Sequence, residues 1–190
     1  MAKGLLLDVG FVIIDVTPES MQAYERATGV VVPGLVDLVA ARAWDEVGQR
    51  AGHGDMFGLF RALAAVAPET IFVGDAVDLM EQAHTAGVHV GTLTNHAYSI
   101  LEPAWFASRP ELASLRTFID AAAIGFPKPD PRGYLLAAAE LGVRPEDVVF
   151  LDDTPECVDG ARAVGMTAIV VDPGDRRPAF DDARRVLGIA

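Results

Sequence analysis

The chain has 190 residues, 51% of them apolar and 22% charged, which is the composition of a globular domain with one sizeable core. Its net charge of −12 excludes broad electrostatic binding to nucleic acid or to an anionic membrane surface. A single cysteine, Cys157, excludes an internal disulfide and a cysteine-based zinc cluster. No apolar run is long enough to span a bilayer, and the stretch before Asp8 is too short for a secretory signal, so a cytoplasmic location is expected.

The first element is the apolar run GLLLDV at residues 4–9. Four further runs, at 88–93, 118–124, 148–151 and 167–171, also read as buried strands. Between 16 and 86 no convincing strand occurs. Helical patterns fall there at about 18–28, 34–50, 55–66 and 75–86, the first with Thr17 as its cap and Pro18 at its first position. After residue 87 the strands alternate with helical patterns at about 132–142, 156–165 and 179–187, punctuated by proline-containing turns. Strands that are apolar throughout and separated by helices predict an α/β fold with a parallel, Rossmann-like sheet covered on both faces. Residues 1–15 and 87–190 would form this core, and residues 16–86 an all-helical cap inserted after the first strand.

Open parallel sheets bind ligands beyond the carboxyl ends of their strands. Strand one ends in Asp8-Val9-Gly10, strand two in Thr94-Asn95-His96 and strand four in Asp152-Asp153-Thr154, while Phe126-Pro127-Lys128-Pro129 follows strand three. Lys128 is one of only two lysines among fifteen basic residues. Three carboxylates on one buried rim repel one another, and a hard divalent cation with oxygen ligands relieves the repulsion; Mg²⁺ fits best. A carboxylate beside such an ion and a lysine can attack phosphorus or an activated carbon. Thr94 and the amides near Asn95 would hold the oxygens of the transferred group.

The segments LLLDVG, GTLTN, FPKPDPRGY and VVFLDDTPE, in this order, resemble the four motifs of the haloacid dehalogenase superfamily. The insert is placed and sized like the small C1-type cap of its subfamily I. By that resemblance Asp8 would be the nucleophile and a Mg²⁺ ligand, with Gly10 giving its backbone carbonyl and Asp153 and Asp152 their carboxylates to the metal. Thr94 and Asn95 would bind the phosphoryl group and Lys128 would neutralise its charge. The implied activity is Mg²⁺-dependent hydrolysis of a small phosphorylated metabolite through an aspartyl-phosphate.

The resemblance breaks at two positions. Phosphatases of the superfamily carry a second aspartate, the general acid and base, where this chain has Gly10. The stretch DVGFVIID is similar to a D-x-G branch that includes sugar-phosphate phosphatases. Asp15 and His96 are candidate replacement acids, although a hinge or cap role explains Asp15 better and a turn role explains His96 better. The loss also keeps two alternatives open: a metal-independent 2-haloacid dehalogenase, and a weakly active or inactive protein that binds a phosphorylated ligand or a protein partner. In the fourth motif Cys157 replaces an asparagine and reads as helix packing. Glu46, Arg50, His53 and Asp55 are the candidate polar residues by which the cap would set specificity.

Overall fold

The computed structural model describes residues 3–34, 37, 38, 41 and 43–189. Five parallel strands form its sheet: β1 (Gly4–Leu7), β2 (His89–Thr94), β3 (Leu115–Asp120), β4 (Val148–Asp152) and β5 (Thr167–Val170). Their order is β3-β2-β1-β4-β5. The chain builds outward from the central β1 to β3, then returns to place β4 on the other side of β1. Asp8 and Asp152 therefore flank the crevice where strand order reverses, and Leu7 pairs with both Thr92 and Leu151 in register.

Alternation along β1 sends its leucines to opposite faces. Leu5 and Leu7 join the larger apolar cluster, and Leu6 joins a second one built on Phe150, Tyr134 and Leu141. Helices α4 (Gly74–Thr85) and α9 (Arg177–Leu187) cover the first face, while α7 (Pro131–Leu141) and α8 (Pro155–Ala163) cover the second. Burial on both faces explains why the inner strands read as continuous apolar runs.

The 16–71 stretch carries α1 (Pro18–Thr28), α2 (Trp44–Arg50) and α3 (Met56–Val66), and α1 and α2 both pack against α3. Thr17 caps α1 as the sequence predicts: its hydroxyl accepts from Ser20 N at 3.1 Å, and Ser20 Oγ accepts from Thr17 N at 2.9 Å. Of the helix expected over 34–50, Trp44–Arg50 is helical, and residues 35, 36, 39, 40 and 42 lie outside the described residues. The last helix of the 16–86 stretch, α4, packs on β2 and α9, so it lies against the sheet.

Strand three differs from the expected 118–124. It begins at Leu115, where as an edge strand it is only partly buried and so lacks a continuous apolar signature. It ends at Asp120, because the carboxylate accepts from Ala122 N and Ala123 N, each at 3.1 Å, and turns the apolar Ala-Ala-Ala-Ile run into a loop. Two short helices, α5 (Ala97–Ile100) and α6 (Pro103–Ala107), occupy the segment between β2 and β3.

Candidate active site

At the carboxyl ends of β1, β2 and β4 lies a cavity of about 420 Å³. All seven candidate site residues line it: Asp8, Gly10, Thr94, Asn95, Lys128, Asp152 and Asp153. Asp8 directly follows β1, and its N–H extends the ladder by donating to Leu151 O at 2.8 Å. Thr94 and Asp152 are the last residues of β2 and β4.

Lys128 reaches this rim from the loop before α7. Its ammonium donates to Asp8 Oδ1 at 2.8 Å and to Asp152 Oδ2 at 2.5 Å, and it lies 5.4 Å from the centre of the Phe150 ring. Burial alone would favour the neutral amine, but Asp8 and Asp152 outweigh it and hold the charge well above the usual lysine range. Asp152 shows the opposite balance. Burial pushes its carboxyl up to about 6, Lys128 only partly offsets this, and Asp8 adds to it.

The loop bearing Lys128 is fixed from two sides. Asn95 Nδ2 donates to Lys128 O at 3.0 Å, and Lys128 N donates to Asn95 Oδ1 at 2.8 Å. On the other side, a Cβ at Gly160 of α8 would lie 2.9 Å from both Pro129 Cβ and Tyr134 Oη, so only glycine allows that approach. The Asn95 side chain thus braces the lysine loop, which is a different use from the phosphoryl contact the sequence suggests for it. A further brace, not anticipated from the sequence, is Asp120, which accepts from Tyr98 N at 2.8 Å and ties the segment after Thr94 to the turn leading to Lys128.

One oxygen each from Asp8, Asp152 and Asp153 can lie within 4.8 Å of the others. Two of these residues are buried, and a single lysine serves two of the three carboxylates. That is a net-negative, all-oxygen donor set, which fits a hard divalent cation. Gly10 borders the cluster. A Cβ built on it would have Asp8 Oδ2, at 3.8 Å, as its nearest neighbour, so the position has room for a side chain and lacks one.

The other residues named from the sequence separate clearly. His96 lines the cavity, its ring 6.0 Å from that of Phe57. Asp15 does not; its buried carboxylate pairs with Arg176 and accepts from Val16 N at 2.7 Å. Arg176 also donates to Phe11 O at 2.9 Å and so pins the loop after Asp8. Cys157 is buried beside the cavity, and burial with the Asp152 charge pushes its thiol up to about 11, which leaves it protonated and inert. The four polar candidates of the insert are engaged elsewhere. Glu46 pairs with Arg50, His53 bonds Tyr24 Oη at 2.6 Å, and Asp55 caps α3 by accepting from Gly58 N at 2.7 Å. Met56, Phe57 and Phe60 of α3 face the cavity in their place. No helix among the described residues is long and apolar enough to cross a membrane.

Several known proteins are similar to this chain. A phosphatase of Mycobacterium tuberculosis is 40% identical over 102 residues, covering 52% of this chain and 45% of the relative. An (S)-2-haloacid dehalogenase of Burkholderia cepacia is 29% identical over 129 residues, covering 68% of this chain and 55% of the relative. The chain thus spans about half the length of these curated relatives. Among solved structures, a HAD phosphatase from Thermococcus onnurineus superposes with a TM-score of 0.63 at 21% identity over 98% of both chains, which shows the shared fold. Residues 3–165 match the haloacid dehalogenase-like hydrolase family, and the chain belongs to that family.

Proposed function

We propose that this protein is a phosphomonoesterase that acts on a small phosphorylated metabolite through an aspartyl-phosphate on Asp8, with Mg²⁺ as its cofactor. The observation that carries the reading is the three-carboxylate cluster in which Lys128 bonds Asp8 and Asp152. A carbon-attacking site needs no metal, whereas three carboxylates that can each offer an oxygen to one point suit a hard divalent cation such as Mg²⁺. Asp8, Asp152, Asp153 and the Gly10 carbonyl would hold the ion, which supplies Lewis-acid neutralisation of phosphoryl oxygens.

Each residue then has a defined task. Lys128 holds Asp8 Oδ1 and orients the carboxylate, so the other oxygen, Oδ2, is the attacking atom. The Asp8–phosphorus bond forms as the bond to the leaving oxygen breaks. Thr94 and the backbone amide of Asn95 bind the equatorial oxygens. Water then attacks phosphorus, releasing phosphate and regenerating Asp8. Gly10 offers no proton in either step, so the leaving oxygen draws its proton from solvent in the open cavity. Helices α1 to α3 act as the cap over this site.

The test is phosphate release from a panel of phosphomonoesters with and without Mg²⁺, set against chloride release from 2-chloropropionate without metal. Metal-dependent phosphate release supports the reading. Metal-independent dehalogenation replaces it with carbon attack.

A further inference from the structure

The cap side of the cavity is apolar, and this has a consequence for the leaving group. Among the described residues, α3 contributes Met56, Phe57 and Phe60 to the lining and no polar side chain. Phe11 joins them from the loop after Asp8, edge-on to Phe60 at 6.1 Å between ring centres. Ile100 closes the wall from the core, and the His96 ring lies against Phe57 with a 41° tilt.

Among the described residues, the polar groups of the cavity all belong to the core, and several are already engaged. Lys128 bonds Asp8 and Asp152, Asn95 bonds the Lys128 backbone, and Asp152 accepts from Thr154 N at 2.8 Å. A sugar or polyol seated against α3 would lose hydrogen bonds to water and regain none from the described side chains of that helix lining the cavity, a cost that such sites avoid by supplying matched partners. An aromatic or other apolar body would instead bury its surface against three side chains that leave water with it.

We propose that this site takes the phosphate monoester of an apolar, ring-sized alcohol, in preference to a sugar or polyol phosphate, with Phe57 as the residue that selects the ring. This rests on the phosphatase reading above. In the reaction the phosphoryl group passes to Asp8, the P–O bond to the alcohol breaks, and the alcohol oxygen takes a proton from water.

The experiment compares benzyl phosphate with glycerol 3-phosphate on the full chain with Mg²⁺. Both are esters of primary alcohols, so leaving-oxygen basicity does not decide the result. Wild type is expected to favour benzyl phosphate in kcat/KM by at least about tenfold. Phe57→Ser is expected to cut that ratio by about fivefold or more, and Phe57→Leu to keep most of it. Equal or better use of glycerol 3-phosphate by wild type overturns the inference and leaves the phosphatase reading standing, as does a ratio that Phe57→Ser does not move. If neither ester nor p-nitrophenyl phosphate releases phosphate, the phosphatase reading itself fails and the inference falls with it.

Discussion

Lys128 reaches across 120 residues of sequence to donate to Asp8 Oδ1 at 2.8 Å, in a pocket where its side chain is 3% exposed. The same ammonium bonds Asp152, so one cation fixes both carboxylates that border the strand-order reversal. Replacing it leaves two buried acids facing each other. Lys128→Met is expected to cost about 3–5 kcal/mol of stability in the metal-free protein and to remove phosphatase turnover. Lys128→Arg is expected not to restore turnover, because a planar guanidinium does not fit a slot shaped for a point charge. Denaturant melts and phosphate release measure the two effects.

Gly10 has space for a side chain beside Asp8 Oδ2. Gly10→Asp places a proton donor near the leaving oxygen, and general acid–base help is worth roughly 10²–10⁴-fold. The variant is expected to speed hydrolysis of alkyl phosphates and to change that of p-nitrophenyl phosphate much less, because its leaving group needs no proton. Equal effects on the two, or none on either, would show that proton transfer to the leaving group does not limit the natural protein.

Asp152 gives a pH signature. Its folded carboxyl sits at about 6 against an ordinary 3.8, so between these values the folded chain keeps a proton that the unfolded chain has released. Stability from this group is therefore present below the lower value and lost as pH rises through the upper one, by about 3 kcal/mol for a shift of this size. Lys128, raised above its usual range, stays charged throughout that window. Melts in EDTA are expected to show wild type losing ground to Asp152→Asn as pH rises from about 4 to 7. Mg²⁺ binds the ionised carboxylate, so it is expected to raise the wild-type melting temperature more at neutral pH than in acid.

Arg176 and Asp15 form an ion pair that also pins Phe11 O, on the loop following Asp8. Arg176→Ala is expected to destabilise the protein by about 3 kcal/mol. Asp15→Asn is expected to lower the melting temperature while turnover with saturating substrate persists, since Asp15 lies outside the cavity. Loss of turnover in a folded Asp15→Asn protein would instead give it a part in proton transfer.

Some of this site was legible in the sequence because its signals are local. Asp8, Thr94 and Asp152 each terminate or directly follow an apolar run, and a strand buried on both faces reads the same with or without its neighbours. Lys128 stood out because lysine is rare here. The limits of β3 were hidden because an edge strand is not continuously apolar and because Asp120 folds an apolar run into a turn. The apolar wall was hidden for a different reason. Met56, Phe57 and Phe60 look like the inner face of any amphipathic helix, and only the folded arrangement of the chain brings them to the cavity. Arg50, His53 and Asp55 carried the more suggestive chemistry in sequence, but the fold engages all three within the insert.

In the proposed reaction Asp8 takes the phosphoryl group. Its most direct test is a single turnover of p-nitrophenyl phosphate with Mg²⁺ in ¹⁸O-water, quenched in acid, with mass spectrometry of the peptide carrying Asp8 and of the released phosphate. Expected are a phosphorylated Asp8 peptide at early times, ¹⁸O in the phosphate and none in Asp8, and no release from Asp8→Asn. Phosphate release that persists in Asp8→Asn would contradict it, as would ¹⁸O entering the Asp8 carboxylate, the mark of attack on carbon.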